Sequence, residues 1–303
     1  MADTTYQTYT EKGIKEDISD IITNISPRKT PFMSSIGNEK IHQPLFQWQE
    51  DSLRSVKGTS AAANEGDDPT AGAVAPTVMR SNQSQIFVEA VKVSGTVQVT
   101  MAYGRAKELA YQMSKSAAAL KRDLENAFVG TSQTGNVGSA SSAAARTMIG
   151  AQAQIASANV AHLGATTALD EAKLLTQLQV AYTAGADPTR IMVTPANSII
   201  VAAFASAAGR YRTFTDPKSN NVVNTVNLYV SPFGEQKVEL NRFLAASNTL
   251  IFEPEMWSQA TLRPWTRETL AKTGDAEKQM IIGEFSLKHK NQLASALILD
   301  NTA

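Results

Sequence analysis

The stretch from Tyr103 to Phe128, YGRAKELAYQMSKSAAALKRDLENAF, constrains the fold more than any other. Ala106, Leu109, Ala110, Met113, Ala117, Leu120, Leu124, Ala127 and Phe128 recur every three or four residues and so form one apolar stripe on a helix. Lys107, Glu108, Lys115, Lys121, Arg122 and Glu125 fall on the remaining, polar surface. Ala, Leu, Lys and Glu are strong helix formers, and no proline interrupts the run. Gly130 follows the stripe where a left-handed cap is wanted. At about 1.5 Å per residue the helix is roughly 40 Å long, well beyond the usual length of about three to four turns. Such a helix is a spine along which the other elements pack.

The chain before the spine falls into two parts. Residues 1–42 read as an arm, with a weak helical pattern in Ile14, Ile18, Ile21, Ile22 and Ile25 that Pro27 and Pro31 then stop. Arg28-Lys29-Thr30-Pro31-Phe32 suits an extended segment laid on a neighbouring surface, and a frayed terminus is the alternative. From Gln43 to Val99 the period becomes two. Phe46 and Trp48 share one side of a strand, and Val91, Val93, Val97 and Val99 alternate with polar residues on another. Between them KGTSAAANEGDDPTAGAVAPT, Lys57 to Thr77, is rich in Gly, Ala, Pro and Asp and holds no aromatic residue. Such a stretch cannot bury enough surface to order itself. The pattern predicts two long strands carrying a flexible tip, and exposed strand edges invite pairing with another chain.

Beyond the spine, Gly130 to Val160 is small and polar, a loop or loose hairpin anchored by Thr147-Met148-Ile149-Gly150. Leu169 to Ala184 predicts a helix with Ala172, Leu175, Leu178, Gln179 and Tyr182 along one side, Asp170 and Glu171 at its start and Gly185 at its end. Arg190 to Val193 is a short strand, and Pro195 opens a helix reaching about Ala207. A hairpin over Val222 to Leu240 turns at Ser231-Pro232-Phe233-Gly234, and Thr249 to Phe252 is another strand. Met280 to Leu287 and Gln292 to Leu299 form two more around Lys288-His289-Lys290-Asn291. Strands and helices interleave without a βαβ rhythm, which makes the class α+β.

The composition narrows the chemistry. Lys plus Arg equals Asp plus Glu, 28 against 28, whereas a dedicated nucleic-acid binder carries a basic excess. Nucleic acid near this protein is therefore met weakly or by local patches. With no cysteine, disulfides, cysteine zinc sites and thiol nucleophiles are excluded. The polar start MADTTYQTYTEKG and the lack of a run of about 20 apolar residues point to neither secretion nor a membrane. The glycines from Gly130 to Gly135 lack the Lys and Ser or Thr that would hold a phosphate and its magnesium. No G-x-S-x-G or G-x-G-x-x-G occurs. His42, His162 and His289 are scattered and read as surface or turn residues rather than zinc ligands. The acidic pairs Glu50-Asp51, Asp67-Asp68 and Glu253/Glu255 read as solvated, with a basic partner at a subunit contact as the alternative. Neither an enzyme nor a cofactor is indicated.

The order of projecting hairpin, spine helix, mixed domain and returning C-terminal strands resembles the major capsid protein of tailed phages, the Hong Kong 97-type fold. Pro27 to Phe32, Leu109-Ala110-Tyr111-Gln112, Leu120 to Glu125, Leu262-Arg263-Pro264, Leu270 to Asp275 and Gly283-Glu284-Phe285-Ser286-Leu287 carry the likeness in order. The resemblance implies an N-terminal arm (1–42), an extended loop hairpin (43–99) and a peripheral domain with the spine helix (100–185). It further implies an axial domain (186–270) and C-terminal strands returning to the peripheral domain (271–303). Arg28, Phe32, Trp48, Arg54, Lys57, Asp67 and Asp68 would be the arm and loop residues that touch neighbouring subunits. Lys57 would also be the candidate if loop and neighbour were crosslinked.

The partners so implied are many copies of the chain, as pentamers and hexamers of an icosahedral head in the virion, assembled in the host cytoplasm. A separate scaffolding protein, a portal, a decoration protein and weakly, non-specifically contacted double-stranded DNA complete the expectation, with no membrane. Heterologous contacts that close into rings and then a shell would supply the mechanism. Another phage structural part, a tail or connector component, is the alternative. It would share the arms and low charge but would not lead a hairpin directly into a spine helix.

Overall fold

The computed structural model of the chain describes residues 26–300 apart from 28, 55, 57–61, 63, 67, 69–71, 73, 101–106, 131–132, 140–143, 165–167, 208–227 and 246–247. In order, its elements are α1 (Pro31–Ser35), β1 (Gly37–Lys40), β2 (Leu45–Glu50), β3 (Val78–Gln83), β4 (Gln85–Ser94), α2 (Gly95–Val99) and α3 (Glu108–Glu125). A π-helical turn (Asn126–Gly130), α4 (Ala151–Gln154), β5 (Val160–Leu163), α5 (Glu171–Thr183), β6 (Arg190–Val193) and α6 (Pro195–Ala207) follow. The chain closes with β7 (Leu228–Ser231), β8 (Gly234–Leu240), β9 (Thr249–Phe252), β10 (Trp257–Thr269), β11 (Ala276–His289) and β12 (Ser295–Asp300).

The spine is α3, and it differs from its expected form at both ends. It spans 18 residues from Glu108, and the expected first turn falls largely outside the described residues. Leu109, Met113, Leu120 and Leu124 are buried as the stripe predicts, but Ala110 is exposed. The helix widens into the π turn instead of ending in a left-handed cap: Gly130 is not among the glycines of positive φ. Close approach is what requires glycine there, since a Cβ would lie 2.7 Å from the Phe243 carbonyl oxygen. Glu125, expected on the polar surface, is fully buried.

Glu125 is buried because the arm covers it. Pro31 opens a helical turn instead of stopping structure, and the side chain of Thr30, at the cap position, accepts no hydrogen bond from the turn's N–H groups. Glu125 supplies one from 93 residues away: the Phe32 N–H donates to its Oε1 and the Met33 N–H to its Oε2, both at 2.8 Å. The Asn241 amide donates to the same Oε1 at 2.7 Å. Desolvation holds the Glu125 carboxyl above its ordinary pKa, opposed by these three hydrogen bonds.

Among the described residues three sheets organise the rest. One has the order β1-β10-β11-β4, one the order β5-β12-β9-β6-β8-β7, and β2 pairs with β3 alone. The six-stranded sheet is a wall between two cores. Met192, Leu250, Phe252 and Leu297 face the core built on Phe32, Leu124, Phe128 and Trp257. Ile191, Val193, Ile251, Ala296 and Ile298 face the opposite core, with Leu174, Leu178 and Val201 from α5 and α6. Period-two alternation inside strands apolar on both faces produces this division. β12, expected to return beside β11, lies in this sheet between β5 and β9.

Other departures have local causes. Val97 and Val99 were expected in a strand, but β4 stops at Ser94 and Gly95–Val99 is helical. β10 was not foreseen because Pro264 and the polar residues around it break the pattern. It forms a strand by shifting register between Thr261, Arg263 and Thr266. The buried side of α5 is Leu174, Gln177, Leu178 and Ala181, so Ala172, Gln179 and Tyr182 face out. Asp170 caps α5 by accepting from the Lys173 N–H at 2.7 Å, and Gly185 ends it at φ 96°. His289 is a core residue, stacked on Trp257 with ring centroids 3.8 Å apart and in contact with Ser295. His42 and His162 are exposed as expected. Among the described residues no helix is long and apolar enough to cross a membrane.

Two stability measurements test this arrangement. Glu125→Ala removes the shared acceptor of the Phe32 and Met33 N–H groups and the Asn241 amide, and denaturant unfolding of the unassembled chain is expected to show a loss of about 3 kcal/mol; a loss below about 0.5 kcal/mol contradicts the capping role. Burial pushes the His289 imidazole from 6.5 down to about 3. A folded pKa below the unfolded one means that stability is fully present above the unfolded value and is lost as pH falls from 6.5 towards 3. Unfolding followed across that window should show a decline that His289→Gln flattens, and an unchanged slope would contradict it.

Candidate subunit-contact site at the hairpin

β2 and β3 pair antiparallel from Leu45↔Gln83 to Glu50↔Val78, and among the described residues no third strand joins them. Phe46 and Trp48 stack with centroids 5.6 Å apart on one side of this ribbon. Both are half-buried, and the Trp48 indole N–H is buried without a partner. Leu45, Val78 and Met79 are about half exposed, and Leu53, Val56 and Val74 beyond the ribbon stand almost wholly in solvent.

The root of the ribbon is held tightly. Ser84, between β3 and β4, donates from N–H to the Pro44 carbonyl (2.8 Å) and from its hydroxyl to Glu284 Oε1 (2.6 Å). Its carbonyl accepts from Arg146 Nε at 2.6 Å. Glu284, buried on β11, also pairs with the Arg146 guanidinium and with Arg263 Nε at 3.2 Å. Asn82 donates to the carbonyls of Leu287 (2.6 Å) and Ile149 (3.1 Å) and accepts from the Ile149 N–H (2.8 Å). Glu50 takes Arg80 at 3.0 Å and the Gln292 N–H at 3.1 Å. A buried carboxylate facing two guanidiniums, with its neighbours also bonded, fixes direction well because breaking any member strands a buried charge. The ribbon therefore leaves the body at a set angle.

The seven residues expected at subunit contacts meet different fates. Phe32 is wholly buried among Phe128, Phe252 and Trp257 of its own chain, with no surface left for a neighbour; this corrects the reading of an arm laid across another subunit at that residue. Trp48 lies on the ribbon, and Arg54 and Asp68 are exposed beyond it. Arg28, Lys57 and Asp67 lie outside the described residues. The root residues Asn82, Ser84, Arg146 and Glu284 were not singled out by sequence reasoning. One signal was available: Glu284 is an acid inside the apolar run Gly283 to Leu287. Among the described residues no group of His, Asp and Glu could hold a metal.

Known proteins give this geometry its context. The family model described as SU10 major capsid protein matches residues 1–302. A major capsid protein of Escherichia phage Phieco32 is 31% identical over 342 residues, covering 97% of this chain and 96% of the relative. Solved structures agree in fold. The capsid of a native GTA particle superposes with a TM-score of 0.71 at 11% identity, over 98% of this chain and 99% of that one. A phage G structure of major capsid and decoration proteins gives 0.59 at 8% identity, over 99% of both chains. The α+β architecture is thus the Hong Kong 97-type capsid fold, and a tail or connector part is set aside. With a match that runs through arm, ribbon, spine and C-terminal strands alike, the chain belongs to the SU10 major capsid protein family, the proteins that form phage capsids.

Proposed function

We propose that the chain closes an icosahedral head around double-stranded DNA as pentamers and hexamers, and that the β2–β3 ribbon is the strap between neighbouring copies. The exposed ribbon is the observation that carries this reading. A lone two-stranded hairpin is marginally stable in water, and this one presents half-exposed apolar residues and open edges beyond a rigid root. A neighbouring copy supplies what covers it, and a heterologous contact of this kind closes a ring.

In this reading residues 43–83 and their root form the extended loop, and β4, α3, β10 and β11 with β1 form the peripheral domain. The six-stranded sheet with α5 and α6 forms the axial domain, its borders drawn by strand pairing rather than by the contiguous range 186–270. The subunit works by interlocking, without catalytic turnover. A separate scaffolding protein, a portal and a decoration protein are its further partners, and assembly proceeds in the host cytoplasm.

The experiment is electron microscopy of the expressed protein, alone and with its scaffold, beside a variant lacking residues 58–76. Wild type is expected to give closed shells or rings of five and six subunits. The deletion variant is expected to keep its circular dichroism and unfolding transition while closed shells fall at least tenfold. Normal shells from the variant contradict the strap, and a wild type that stays monomeric or dimeric throughout contradicts the shell.

A further inference from the structure

Net charge zero hides a local imbalance on the uncovered side of the spine. Lys107, Lys115 and Lys121 are exposed and Arg122 is half-buried. At about 100° per residue, these four cations fall within an arc of about 120° opposite the buried line of Leu109, Met113, Leu120 and Leu124. They span about 22 Å of helix. Asp123 projects towards a different side. Half-buried Glu108 stands at the edge of the arc, accepting from the Gln112 amide at 2.6 Å; the one carboxylate inside the arc is Glu125, and the arm has taken it out of solvent onto the N–H groups of Phe32 and Met33. Among the described residues none of the four cations has a carboxylate partner; Arg122 instead stands over the Phe243 ring, 5.9 Å from its centroid. Exposed Arg242, beside the Asn241 that binds Glu125, adds positive charge at the far end.

The surface between the cations decides what they meet. Ser114 and Ala118 lie there beside the half-buried Tyr111, with Ala110 at the margin, and no large apolar side chain is exposed on α3. A protein partner needs an apolar anchor at the centre of its interface. A phosphodiester backbone needs only cations on a smooth surface, and it binds by releasing its counterions. We infer that the exposed face of α3 is a sequence-independent contact for the phosphate backbone of duplex DNA, which turns that face towards the inside of the shell. This rests on the shell reading above and adds which surface meets the packaged polymer.

The test is fluorescence anisotropy of a labelled duplex of about 30 base pairs with the full-length, unassembled chain over a salt series, since contact with several phosphates gives a steep salt dependence. Wild type is expected to bind with a slope of log affinity against log salt of about −3 to −4. K107Q/K115Q/K121Q should lose at least tenfold in affinity and most of the slope, and K115Q alone a part of both. K92Q/K237Q/K290Q, which removes equal charge elsewhere, should stay within twofold. The inference is overturned if wild type does not bind, if the control loses as much, or if polyglutamate at equal charge concentration binds as tightly as the duplex. Microscopy of the same preparations separates the two readings. Shells from wild type and from a triple variant that still binds duplex sink the DNA contact alone, whereas wild type that never assembles sinks the shell.

Discussion

The carboxylate of Glu125 joins three parts of the chain that are far apart in sequence. It caps the helical turn of the arm, terminates the regular part of the spine and holds Asn241, whose amide also reaches the Met192 sulfur at 3.1 Å. Around it Phe32, Leu124, Phe128, Phe252 and Trp257 pack with almost no exposed surface. Burying a carboxylate is costly, and three donors aimed at it are what make the site tolerable. The arrangement is specific for that reason: only one placement of the arm brings both N–H groups onto both oxygens. It also removes the one carboxylate that would have neutralised the exposed face of the spine.

A fixed body gives meaning to a projecting ribbon. Residues 82–84 carry the chain from the lone ribbon into the four-stranded sheet, and Asn82 and Ser84 are held at that joint by residues more than 60 positions away. Beyond it, among the described residues, Leu53, Val56 and Val74 stand in solvent outside either core, which suits the proposed completion by a second copy. In the proposed reading the cationic stripe and the strap are different surfaces of one subunit, and they do not compete for the same residues.

Much of the fold was legible because it depends on local pattern. The three- and four-residue repeat of Leu109, Met113, Leu120 and Leu124 gave the spine, Gly185 and Pro195 gave helix ends, and Ser231-Pro232-Phe233-Gly234 gave the β7–β8 turn. What was not legible depends on partners distant in sequence. Nothing near Glu125 announces that residues 32, 33 and 241 will cover it, so its position on the helix read as surface. Phe32 read as a contact for a neighbour for the same reason, and His289 as a turn residue, because Trp257 lies 32 positions away. β10 was obscured by Pro264, which a register shift accommodates. At the candidate contact site, composition exposed the loop and pattern exposed the ribbon, while the ion pairs of its root, 138 residues apart for Arg146 and Glu284, left no periodic trace.

The central claim is a body locked before assembly that carries a strap locked by it. Hydrogen–deuterium exchange on unassembled chain and on closed shells measures both halves at once. The account predicts that amides of Phe32, Met33 and residues 82–84 are already protected in the unassembled chain, while residues 45–54 and 74–81 gain at least tenfold protection on assembly. Rapid exchange at Phe32 and Met33 before assembly, or ribbon protection that does not change on assembly, would contradict it.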